Sequence, residues 1–313
     1  MKTAFLFPGQ GAQTVGMGAD VARAFPVAAS LFDRANDVLG FDLRAVCFEG
    51  PADRLNSTTM SQPAIFVTSA ALLEVLRTSP ATANLRPDVT AGLSMGEYSA
   101  LCAAGAISFE DGLRLVRRRG EAMQAAADAT EGTMVSLIGL DADKVRQLCD
   151  EARQGELLEP VNFNCPGQIV VSGSLGACAR AEELAVKYGA AKAVRLEVAG
   201  AFHTSLMSHA AEALRQALRQ AGITQPAAAR TIANITGEYY ATADEVVEGL
   251  TRQLTGAILW QKCMERLLAD GVEEFYEIGP GRVLTGLMKR INRKTKVTNI
   301  SDLASLKAVV GQS

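Results

Sequence analysis

At 313 residues the chain has room for one large core with an inserted or appended module, and 48% hydrophobic against 21% charged residues excludes the composition of disordered chains. Its 31 basic and 34 acidic side chains leave a formal charge of -3, so nothing global draws it to nucleic acid or to a bilayer, and a charged partner has to be met by a local patch. The six cysteines form no CxxC pair and no metal-ligand spacing with the two histidines, His203 and His209, which argues against a metal site and for reduced, mostly buried thiols in a cytoplasm.

The first predicted element is a buried strand, Thr3 to Phe7, closed by the tight loop Pro8-Gly9-Gln10-Gly11. No charged segment leads into a long apolar stretch there, so no secretory signal is expected, and no stretch reads as long and apolar enough to span a membrane. Helix-spaced apolar residues run from Pro26 to Leu39 and from Gln62 to Leu76, and a second strand, Val89 to Leu93, ends at Ser94. Strands separated by helices predict a parallel sheet covered on both faces.

After a helix from Phe109 to Ala127 the rhythm changes. Met134 to Ile138 reads as strand, Ala142 to Ala152 as helix, Glu159 to Phe163 and Gln168 to Val171 as strands, Ala177 to Tyr188 as helix and Ala193 to Val198 as strand. That β-α-β-β-α-β order, with Asn164-Cys165-Pro166-Gly167 turning the central hairpin, is the ferredoxin-like pattern. Alternation then returns: Ser205 to Ala221, Arg230 to Asn234, Asp244 to Leu254, Cys263 to Asp270, Glu273 to Ile278 and Val283 to Asn292. The expected fold class is therefore α/β, with a large α/β-hydrolase-like domain of parallel sheet core (1–129 and 198–313) and a small inserted ferredoxin-like domain (130–197). Lys289, Arg290, Arg293, Lys294 and Lys296 form a basic cluster near the end, which reads first as a solvated helix end.

Chemistry concentrates at Gly92-Leu93-Ser94-Met95-Gly96, a G-x-S-x-G segment with a strand before it and a helix-like run after it. A serine at such a turn needs small neighbours, which Gly92, Gly96 and Ala100 supply, and the helix start brings free backbone N–H groups to its hydroxyl. The bare pattern is common in a chain with 28 glycines; its strand-to-helix setting is what points to a nucleophile. A serine hydroxyl also needs a base. His203, in a loop after the last strand of the small domain, is the candidate; His209 lies inside the following helix and reads as a surface or packing residue.

Taken together, Phe7-Pro8-Gly9-Gln10-Gly11, Gly92 to Leu101, Arg119-Gly120, Gly200-Ala201-Phe202-His203 and Glu277-Ile278-Gly279-Pro280-Gly281 resemble, in order and over about residues 2 to 290, the malonyl-CoA:acyl carrier protein transacylase family. The resemblance implies Ser94 as the acylated nucleophile, His203 as its base, the backbone N–H groups of Gln10 and Met95 as oxyanion donors, and Arg119 as the grip on the malonyl carboxylate. A planar guanidinium suits that task, since it offers a carboxylate two parallel bonds and stays charged when desolvated. Because successive helical residues point about 100° apart, not all of Arg117, Arg118 and Arg119 can face one cleft.

By the same resemblance Gln253 lies near the histidine, Asn162 and Asn164 lie where the small domain roofs the cleft, and the Phe202 ring crowds a 2-methyl branch on the acyl group. It also implies malonyl-CoA and an acidic acyl carrier protein as partners, the carrier docking near Lys289, Arg290 and Arg293, a monomer, and no cofactor. Leu93 departs from the histidine that many members have before the nucleophile, and no acid is evident to orient His203. The chain could serve fatty acid synthesis or act in trans in polyketide synthesis. Rival readings are a serine hydrolase or thioesterase, which shares the elbow, and a non-catalytic carrier-binding scaffold.

Overall fold

The computed structural model describes residues 1–311. In chain order its strands are β1 (Lys2–Phe7), β2 (Val89–Gly92), β3 (Gly132–Ile138), β4 (Leu158–Cys165), β5 (Gln168–Ser174), β6 (Lys192–Arg195), β7 (Arg230–Thr231), β8 (Val272–Ile278) and β9 (Val297–Ile300). Five of them form a parallel sheet in the order β7-β2-β1-β8-β9; the other four form an antiparallel sheet in the order β4-β5-β3-β6.

β1 is buried from Thr3 onward and β2 throughout, as strands covered on both faces must be. Leu6 pairs with Ala91 and Phe7 with Gly92, so the two strands end level and the loops leaving them emerge side by side. β2 lies on one flank of β1 and β8 on the other, which makes the carboxyl end of β1 a switch point, where open parallel sheets form their binding crevices.

Helix Thr58–Thr78 corrects one expectation. By length and composition it could cross a membrane, but 78% of its most apolar stretch is buried inside the molecule, where it packs as a core helix against helix Phe109–Asp128. Two glycines on the latter allow the close approach: an added Cβ on Gly112 would fall 2.6 Å from the Phe66 ring, and one on Gly120 would fall 2.6 Å from the Thr58 carbonyl oxygen.

In the antiparallel sheet the period of two sorts the side chains. Val135, Leu137, Ile169 and Val171 pack beneath helices Ala142–Arg153 and Leu175–Lys187, while Met134, Val161 and Val170 on the opposite face join the main core. The hairpin turns tightly at Pro166-Gly167, Gly167 having φ 70°. This sheet is stitched to the rest by backbone bonds from Phe163 N–H to Ile258 O (2.9 Å) and from Ile258 N–H to Val161 O (2.7 Å).

Three predicted elements are shorter than expected. β6 stops at Arg195; Leu196 N–H still donates to Met134 O of β3 at 2.9 Å, but the pairing goes no further, and Leu196 and Val198 line a cleft. β7 holds two residues rather than five; Ile232 makes a single bridge to Tyr239 and Asn234 turns toward Ser94. The helix foreseen from Ser205 starts as a 3₁₀ turn, Ser205–Met207, and becomes α-helical at Ser208–Gln220. Helices Ala19–Ala24, Leu43–Glu49, Ala52–Asn56 and Leu303–Val310, with β9, were not foreseen.

Candidate active site

Ser94 follows β2 at the mouth of the crevice with φ 51°, in the left-handed region that a residue with a side chain seldom occupies. Such a conformation costs on the order of 1–3 kcal/mol and persists only when its surroundings enforce it. The surroundings here are close-fitting. An added Cβ on Gly92 would lie 1.9 Å from the Gly96 carbonyl, one on Gly96 2.2 Å from Phe7 O, and one on Gly9 2.4 Å from Leu93 O. Asn234 closes the lock: its Oδ1 accepts from Ser94 N–H at 2.7 Å and its Nδ2 donates to Gly92 O at 2.8 Å.

His203 also has positive φ, 63°, and is 4% exposed. Its Nδ1 lies 2.7 Å from the Gln253 carbonyl oxygen, which can only accept, so Nδ1 carries the proton and Nε2 the lone pair. Nε2 is 3.0 Å from Ser94 Oγ and accepts its proton. Burial, assisted by the charge of Arg119, pushes the imidazole down to about 3, so at neutral pH it is an uncharged acceptor. A backbone carbonyl thus orients the ring where no acid was evident in the sequence. His209 is exposed on helix Ser208–Gln220, away from this pair.

Of the three consecutive arginines, one faces the serine. Arg119 is 1% exposed; its Nη1 donates to Gln62 Oε1 at 2.8 Å, and its Nη2 to Ser94 Oγ and to Gln253 Oε1, each at 3.0 Å. Its Nε has no partner and, among the described residues, no carboxylate pairs with it. Desolvation lowers its pKa from the ordinary value, which is far too high for the group to lose its charge. Arg117 and Arg118 point outward to Glu121. The site therefore holds a buried cation that no carboxylate touches, 3.0 Å from a hydroxyl that a neutral imidazole can deprotonate.

Above these groups opens a cleft of about 460 Å³. Its wall includes Gln10, Leu93, Met134, Asn162, Leu196, Val198 and Phe202. The backbone N–H groups of Gln10 and Met95 donate to no acceptor among the described residues. Asn162 Oδ1 is buried without a partner.

Asn164 departs from the expectation. It is buried and does not line the cleft, because the β4–β5 register shifts between Phe163 and Cys165 and breaks the alternation that would have set it beside Asn162. Gln253 is fully buried behind Arg119 and His203 rather than in the cleft wall. Gln62 and Asn234 escaped the sequence reading; the one signal for either was a polar residue inside an apolar run.

Comparison with known proteins agrees along the whole chain. Residues 4–310 match the acyl transferase domain family. A malonyl CoA-acyl carrier protein transacylase of Bacillus subtilis is 43% identical over 310 residues, covering 99% of this chain and 96% of that protein. Its Escherichia coli namesake is 42% identical over 288 residues, 92% of each chain. The crystal structure of an acyl carrier protein S-malonyltransferase from Vibrio cholerae superposes with a TM-score of 0.93 at 41% identity, covering 99% of this chain and all of that one. A malonyl-transacylase in complex with a type II PKS acyl-carrier protein gives a TM-score of 0.94 at 39% identity over 99% of both chains. This chain belongs to the acyl transferase domain family and, within it, to the malonyl CoA-acyl carrier protein transacylases.

Proposed function

We propose that the protein moves a malonyl group from malonyl-CoA to the thiol of an acyl carrier protein through a malonyl ester on Ser94. The observation that carries this reading is one oxygen, Ser94 Oγ, held 3.0 Å from a base and 3.0 Å from an unpaired guanidinium.

In the first half-reaction Ser94 gives its proton to His203 Nε2 while Oγ attacks the thioester carbonyl carbon. The tetrahedral oxyanion is received by the N–H groups of Gln10 and Met95, each worth roughly 10²-fold or more in rate. Its collapse breaks the C–S bond, and His203 returns the proton to the departing thiolate. In the second half the carrier's phosphopantetheine thiol yields its proton to His203 and attacks the ester carbonyl; collapse breaks the bond to Ser94 Oγ, and His203 returns that proton to the departing alkoxide.

Arg119 binds the acyl group's free carboxylate, while an acyl group without one would leave the arginine buried and unpaired. Phe202, 4% exposed in the cleft wall, restricts a 2-methyl branch, and Asn162 contributes a polar contact.

The large unit, 1–129 with 198–313, is read as α/β-hydrolase-like from its elbow, and 130–197 as an inserted ferredoxin-like domain from its strand order. That small domain roofs the cleft and shelters the ester from water until a carrier arrives. Carrier docking near Lys289, Arg290 and Arg293 is favoured by their exposure. Arg290 is committed in part, since it donates to Gln168 Oε1 and to the carbonyls of Pro166 and Gly167, so Lys289 and Arg293 are the freer charges. The enzyme is read as a cytoplasmic monomer that needs no cofactor and supplies extender units for fatty acid synthesis. Malonyl-CoA consumption measured with and without carrier protein tests the reading: carrier-dependent turnover is expected, and equal turnover without carrier would make the protein a hydrolase.

A further inference from the structure

Gln253 touches three chemistry-bearing groups at once. Its backbone carbonyl accepts from His203 Nδ1 at 2.7 Å, its Nε2 donates to Ser94 O at 3.0 Å, and its Oε1 accepts from Arg119 Nη2 at 3.0 Å. A side-chain amide can be seated two ways, and the other way would turn its NH2 group against the guanidinium, donor facing donor. A fourth contact decides between them. Nε2 gives its second proton to Glu97 Oε2 at 2.7 Å, an oxygen that also takes the Asn234 N–H and so serves as an acceptor whichever charge the carboxyl carries.

Glu97, in the first turn of helix Gly96–Ala103, is fully buried, and no Lys, Arg or His pairs with it among the described residues. The Tyr240 hydroxyl donates to its Oε1, and Asn234 N–H donates to its Oε2 at 3.2 Å. Burial pushes its pKa up to about 7, against the hydrogen bonds from Tyr240, Gln253 and Asn234 and the charge of Arg119. A carboxylate kept at that cost without an ion pair needs a reason beyond packing. Set one amide away from Arg119, it orients the amide that aims the guanidinium and leaves the guanidinium's fork open. A carboxylate in direct contact would close that fork against an incoming anion.

We propose that Glu97 is a positioning residue for acyl selectivity: by accepting from Gln253 Nε2 it turns the Gln253 oxygen toward Arg119 and so aims the arginine at the acyl carboxylate. This rests on the malonyl-transfer reading above. The test is kcat/KM for acylation by malonyl-CoA and by acetyl-CoA in the wild type and in Glu97→Gln and Glu97→Met. Gln retains an acceptor for Gln253 by facing its own NH2 toward Tyr240, so it should keep the malonyl-to-acetyl ratio. Met removes the acceptor and should lower the ratio roughly tenfold, about the worth of one buried hydrogen bond to a charged group, mainly through malonyl-CoA.

If Glu97→Met does not fold, Glu97→Asp, which draws the carboxylate back from Gln253 by one methylene, takes its place and should lower the ratio in the same direction. Equal losses for both substrates in Met or Asp would overturn the proposal, as would a Gln variant whose ratio falls as far as that of Met. A wild type with no preference for malonyl-CoA would instead sink the transfer reading itself.

Discussion

The floor and the roof of the cleft are built on opposite principles. The floor, at the carboxyl ends of β1 and β2, is glycine-dense and polar: Ser94, His203, Arg119, Gln253 and Asn234 hold one another through hydrogen bonds of 2.7–3.0 Å, two of them with positive φ. The roof presents Met134, Leu196 and Val198 with two polar side chains, Asn162 and the exposed Glu197. The difference separates two tasks. Under the proposed function, groups that develop or receive charge must be fixed before the substrate arrives, whereas the roof would supply shape and exclude water. Substitutions in the floor should therefore act on kcat and selectivity, and those in the roof on KM.

The largest effect expected is from Ser94→Ala, which removes the acylated atom and should abolish transfer; retained malonyl transfer would break the assignment. Arg119→Ala comes next. It should lower kcat/KM for malonyl-CoA by roughly 10²-fold or more while changing acetyl-CoA far less, because a lost charge-assisted pair is worth about 3 kcal/mol. Equal losses for the two substrates would remove the clamp.

Asn234→Ala frees the strained elbow and leaves Ser94 N–H and Gly92 O without their partner, so thermal or denaturant unfolding should show a loss of about 1–3 kcal/mol with a fall in kcat. His203 adds a pH dependence. Its folded value of about 3 lies below the value of 6.5 that it has when unperturbed, so the unfolded chain takes up the proton first and stability falls as pH drops from 6.5 toward 3. His203→Gln should flatten that slope by at most about 1.4 kcal/mol per pH unit; an unchanged slope would mean the ring is not buried neutral. Smallest is Leu196→Ala in the roof, expected to raise KM a few-fold with kcat retained.

Much of the floor was readable because its chemistry needs rare residue types in tight spacing. Two histidines in 313 residues leave little choice of base, and glycines at 92 and 96 mark a backbone too close for a Cβ. The long elements were readable for a different reason: Pro26–Leu39 and Phe109–Asp128 carry several turns of helical period, and the former begins at its proline.

What escaped depends on tertiary pairing. Asn234, Gln62 and Glu97 act across separations such as Asn234 to Ser94, which no local pattern encodes. Helix Ala52–Asn56 and its neighbour Leu43–Glu49 are too short to show a period, although Asp42 caps the latter and Asp302 boxes the final helix. Asn164 missed the cleft because an irregular register, invisible in sequence, interrupts the alternation of β4.

In the proposed function one serine, relieved of its proton by His203, carries the acyl group between two thiols. The most direct measurement is mass spectrometry of the protein after brief exposure to malonyl-CoA, followed by addition of carrier protein. One malonyl group per chain is expected, on the peptide bearing Ser94, persisting until the carrier thiol removes it. No mass gain, or a malonyl group on any other residue, would contradict it.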